Sequence, residues 1–125
     1  MSARPWRPSP PPVSAETVLL TIHANPIVAI HFWAGWNEGY DRALDGAMAP
    51  LYREFGDRIA FRSLDFDDAP LQDFVKTAEV LNLPAIGFWR DGKRDRVVIG
   101  LRSATAWRET IREVLAGGSD AAGPP

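Results

Sequence analysis

Residues 26–40 read P-I-V-A-I-H-F-W-A-G-W-N-E-G-Y. Ile27 to Trp33 is an apolar run of strand length, interrupted only by His31. A run without polar alternation fits a central strand buried on both faces. The turn behind it starts a helix: Asn37 is suited to cap, Glu38 to sit at the positive helix end, and Gly39 to bend the chain. The strand and the turn together predict a sheet strand that delivers its last residues to a helix N-terminus.

The flanking segments extend this pattern. Ser14 is suited to cap a helix over S-A-E-T-V-L-L-T-I-H, which Asn25-Pro26 ends. After the turn, Ala43, Leu44, Ala47, Met48, Leu51, Tyr52 and Phe55 recur at helical spacing. Pro50 lies inside that helix and should kink it, and Gly56-Asp57 closes it. I-A-F-R-S-L-D-F, residues 59–66, reads as a second strand. Pro70 opens a helix with Leu71, Phe74, Val75, Ala78 and Leu81 on one face. A-I-G-F-W-R and R-V-V-I-G then face each other across Asp91-Gly92, a strong hairpin signal. A last helix runs from about Ser103 to Ala116, with Ala106, Trp107, Ile111, Val114 and Leu115 as its core face. The order predicts an α/β fold with a mixed four-stranded sheet. The first two strands are parallel across a helical crossover and the last two antiparallel.

Composition bounds the chemistry. The 125 residues suit one domain, and 46% hydrophobic content suffices for a core. There is no cysteine, which excludes disulfides, thiolate nucleophiles and dithiol exchange. Net charge is −2, so nothing global points to nucleic acid or an anionic membrane. No stretch approaches the ~20 apolar residues of a membrane helix, and the N-terminus has no apolar core of a signal peptide, so a cytoplasmic protein is expected. Residues 1–13 hold Pro5, Pro8 and Pro10 to Pro12, and read as a disordered proline-rich arm. Residues 117–125 read as a disordered tail, which leaves a domain over 14–116.

Four local signals, in this order, resemble the thioredoxin family. P-I-V-A-I-H-F-W-A-G-W is similar to its central strand and active-site turn. Pro50 falls where the family kinks its second helix. L-N-L-P-A, residues 81–85, resembles the segment with the family's cis-proline. V-I-G-L, residues 98–101, is similar to the glycine loop beside the active site. The resemblance covers residues 26–116 and implies a thioredoxin-like fold, with helices on both faces of the sheet. It also shows what has been lost. The family's C-x-x-C falls on Asn37, Glu38, Gly39 and Tyr40, and its buried acid falls on His31. The W-x-x-x-Y-D pattern is similar to that of bacterial thioredoxin-like proteins without the redox motif.

The candidate site is therefore a groove without its thiols. The resemblance places Trp36, Asn37, Glu38, Gly39 and Tyr40 on one wall, with Leu83, Pro84, Ala85, Ile99 and Gly100 opposite. The expected ligand is a protein or extended peptide, held partly by strand-like backbone pairing at Leu83-Pro84. Trp36 and Leu83 are both expected at the groove surface. No cofactor or metal is expected, and the chain should be a monomer or weak homodimer. His31 is the candidate titrating group, more simply a hydrogen-bonded core histidine. A rival reading makes the domain a cysteine-independent enzyme or small-ligand protein, with His31, Glu38 or Tyr40 as acid or base. Ser63 and Asp65 are weak triad partners for His31, since both lie in a packed strand. Asp65, Asp67 and Asp68 invite a cation, but a strand end and helix cap explain them as well. The basic run Arg90 to Arg96 is interleaved with acids and reads as a solvated hairpin tip.

Overall fold

A computed structural model of the chain describes residues 5–117. In chain order the elements are α1 (Val18–Ala24), β1 (Ile27–Trp33), α2 (Glu38–Phe55), β2 (Ala60–Asp65), α3 (Gln72–Ala78), β3 (Ala85–Arg90), β4 (Lys93–Ile99) and α4 (Ala104–Leu115). The sheet order is β2-β1-β3-β4. β1 runs parallel to β2, with His31 beside Ser63, and antiparallel to β3, with Phe32 beside Ala85. β3 and β4 form the expected hairpin, tightened at Asp91 (φ 53°) and Gly92 (φ 81°). Positive φ at both central residues is the two-residue turn whose twist matches the strands.

Side-chain alternation along β1 splits the core into two layers. Val28, Ile30 and Phe32 point to α1 and α3, where they meet Val18, Ile22, Val75 and Ala78. Ile27 and Ala29 point the other way, to Leu44, Met48 and Leu51 of α2 and Trp107, Ile111 and Val114 of α4. Both faces of the sheet are therefore covered by helices, which is why β1 needs no polar alternation.

Several expectations need correction. α1 starts at Val18 rather than Ser14. The Ser14 N–H donates to Thr17 Oγ1, and its carbonyl accepts the Thr17 and Val18 amides, so residues 14–17 form a turn before the helix. Ala43 faces solvent, and so does Leu81, which lies beyond the left-handed Glu79 that ends α3. The described part of the expected disordered arm, residues 5–13, lies against the free edge of β2. Pro12 bridges Ser63 in parallel sense, Ser63 N–H donates to Pro11 O at 2.8 Å, and Val13 N–H donates to Ser63 O at 2.9 Å. β2 is an edge strand, and the arm satisfies the outward backbone groups of Ser63. The expected tail, from Gly118 on, lies outside the described residues.

Candidate functional site

The topology gathers the candidate residues at one end of the sheet. β1 and β2 finish there at Trp33 and Asp65, which pair in register, β3 begins there at Ala85, and β4 ends beside it at Ile99. A 3₁₀ turn over Gly35–Asn37 carries the chain from β1 to α2. Glu38 and Asp41 stand in the first turn of α2, where the helix dipole favours acids. Asn37 sits at the helix start but makes no side-chain cap, contrary to expectation, and its buried Nδ2 has no hydrogen-bond partner.

Trp36 and Tyr40 are 66% and 61% exposed. Trp36 Nε1 donates to Asp67 Oδ2 at 2.7 Å, which ties the turn to the loop after β2. Across the corner, the Leu83-Pro84 peptide is cis, and Gly100 N–H donates to Pro84 O at 2.9 Å. Gly100 has φ 105°, a backbone that favours glycine, and it turns the chain between the exposed side chains of Ile99 and Leu101. Leu83 is a correction: at 8% exposure it belongs to the core beneath the corner. Pro84 and Ala85 are buried as well. The apolar surface offered at this end is thus Trp36, Tyr40, Ile99 and Leu101, and Leu101 was not among the expected residues.

Beneath the turn lies an unexpected pair. His31 Nε2 is 3.0 Å from Asp41 Oδ1, and Asp41 Oδ2 accepts the Ala34 N–H at 3.2 Å. The side chains of His31 and Asp41 are 2% and 0% exposed. Asp41 thus engages both the imidazole on β1 and the backbone of the turn. The other nitrogen, Nδ1, is buried without a partner. A signal for Asp41 was present in the sequence. It precedes Leu44, Met48, Leu51 and Phe55 at core-facing spacing on α2, and an acid on that stripe needs a buried partner.

The other candidate chemistry resolves into local structure. Ser63 lies beside His31 in register, yet its Oγ donates to Pro10 O at 2.9 Å. Asp65 Oδ1 accepts the Asp67 N–H, and Asp67 is used by Trp36. Among the described residues no group of three or more His, Asp or Glu is placed to hold a metal ion.

The thioredoxin family model matches residues 14–113. Among solved structures, mitochondrial thioredoxin 3 from Saccharomyces cerevisiae is 24% identical with a TM-score of 0.73, over 84% of this chain and 95% of that one. A thioredoxin variant from Halobacterium salinarum is 23% identical with a TM-score of 0.68, over 90% and 95%. Human ERp44 is 18% identical with a TM-score of 0.70, over 90% of this chain but 32% of its own. The chain matches no curated protein sequence. With this fold, this corner and the family match over most of its length, the chain belongs to the thioredoxin family, as a member that has no cysteine and hence no C-x-x-C site.

Proposed function

We propose that this domain is a binding or scaffold module that holds an extended protein segment at the corner where redox members of the family carry their cysteines. The observation that carries the reading is the exposure of Trp36, Tyr40, Ile99 and Leu101 at one end of the sheet, above a sealed layer. Aromatic side chains supply large, rigid contact area and are enriched at binding surfaces. An apolar rim over a packed floor suits a segment lying across the surface better than a small molecule entering a pocket. The enzyme reading finds less support, because His31 and Asp41 are shielded from any substrate above the turn. The module is read as cytoplasmic, with neither nucleic acid nor membrane in its role.

The test is selection from a random peptide display library on the full chain, followed by affinity measurement on Trp36→Ala with Tyr40→Ala. Peptides whose affinity falls at least tenfold on the variant are expected. Peptides that bind both proteins equally, or failure to select any, contradict the reading. Leu83 is unsuitable for this test because a charge there would enter the core.

A further inference from the structure

The arm meets β2 and α2 through a set of side-chain contacts unlike those of an ordinary edge strand. Pro8 and Pro10 are buried while Ser9 between them faces outward. Ser9 Oγ donates to Asp45 Oδ2 at 2.7 Å, and Ser9 N–H donates to Asp45 Oδ1 at 3.1 Å. Asp45 is held in place from the other side by the Tyr52 hydroxyl at 2.7 Å, and the Tyr52 ring rests edge-on against Phe61. Ser63 contacts the arm three times, at Pro10 O through Oγ, at Pro11 O through N–H and at Val13 N–H through its carbonyl. Farther out, Trp6 packs edge-on against Trp33 at 6.1 Å, with the Arg42 guanidinium 5.7 Å from its ring centre.

Proline explains why these contacts amount to recognition. Pro8, Pro10, Pro11 and Pro12 have no N–H, so between residues 8 and 13 only Ser9 and Val13 have amide hydrogens to donate. A regular ladder on β2 is impossible, and the hold combines the three Ser63 bonds with buried Pro8 and Pro10, the Ser9–Asp45 pair and the Trp6 ring contact. Proline also pre-sets an extended conformation, which lowers the entropy cost of docking. The fit is incomplete: a cavity of about 210 Å³ lies between Arg7, Pro8, Pro10 and the wall of Trp33, Asp65 and Asp68. An open cleft of about 840 Å³ flanks Ser9 to Pro11 on the side of Tyr52, Arg58 and Arg62. Among the described residues of the arm, Val13 joins the hydrophobic core.

We propose that this seat is a recognition site for a proline-rich segment with the pattern Trp-x-Pro-Ser-Pro, filled in cis by the chain's own arm and open to such a segment in trans when the arm leaves. Asp45 reads the serine, Ser63 reads the backbone, and Trp33 with Arg42 reads the tryptophan. The seat adjoins the Trp36 corner at Trp33 and Arg42 but does not depend on a ligand there.

The test uses the full chain with Trp6→Ala and Ser9→Asp, which removes the ring contact and sets a carboxylate against Asp45. The probe is a fluorescein-labelled synthetic peptide of residues 4–13, read by fluorescence anisotropy. The variant is expected to bind it at least tenfold more tightly than wild type, whose seat is filled. Adding Asp45→Ala should weaken that binding at least tenfold, and a scrambled peptide should bind no variant. Equal binding by wild type and variant, or binding indifferent to Asp45 or to peptide order, overturns the proposal. Amide exchange of wild type supplies a readout that needs no variant. Val13 and Ser63 should exchange at least tenfold faster than the β1 amides, and exchange of both only at the β1 rate overturns it too. A wild-type dimer that Ser9→Asp abolishes is the same exchange made with the arm of a second copy.

Discussion

Asp41 is the residue on which the corner rests. It joins His31 on β1 to the Ala34 amide at the start of the turn, and all three groups are removed from water. Replacing it with alanine leaves the buried Ala34 amide and the His31 ring nitrogen without their partner. Asp41→Ala should therefore cost about 3 kcal/mol, read as a shift in urea midpoint at constant slope. Asp41→Leu combined with His31→Leu should cost less than the sum of the two single changes, because the double variant leaves no orphaned partner. Tyr52 gives the residue-scale pH dependence. Burial, and then its hydrogen bond to Asp45, push its phenol well above the ordinary 10.0. The unfolded chain loses that proton first, so the folded state is favoured below pH 10 and loses this stabilisation as pH rises further. Tyr52→Phe should flatten the alkaline decline in a series of urea melts. An unchanged slope would show that the phenol does not control it.

At the scale of elements, the β3–β4 hairpin was legible because Asp91-Gly92 carries its geometry in its residue types. Gly92→Ala should cost roughly 1–2 kcal/mol. The added Cβ would meet a positive φ and sit 2.9 Å from His23 Nδ1. A thermal melt checks this, and an unchanged midpoint would deny that the turn demands glycine. β1, α2 and α4 were legible for a similar reason: their apolar spacing matches the period of the element. The arm was not legible. Its proline content reads as disorder, and the groups that hold it, Asp45, Tyr52 and Ser63, lie far away in sequence. The site was half legible. Trp36, Tyr40 and Ile99 do face solvent, whereas Leu83 and Pro84 are buried, because sequence shows that a loop is near a groove but not which way its side chains turn.

The whole molecule keeps the family's architecture after losing the family's sulfur. Thiol–disulfide exchange needs a thiolate at each step, and this polypeptide has none to give. Purified protein should reduce insulin no faster than a blank without protein, and any excess rate would refute that statement. What persists at the old active-site end is an exposed apolar rim over a sealed polar pair. If this rim holds a protein segment, as proposed, backbone amide resonances will report the contact. The full chain would be titrated with its tightest display-selected peptide while the amide resonances are followed. Shifts should concentrate at residues 35–40 and 99–102. Shifts confined to the opposite end of the sheet, around Ile27, Tyr52 and Arg58, with the corner silent, would contradict the proposal.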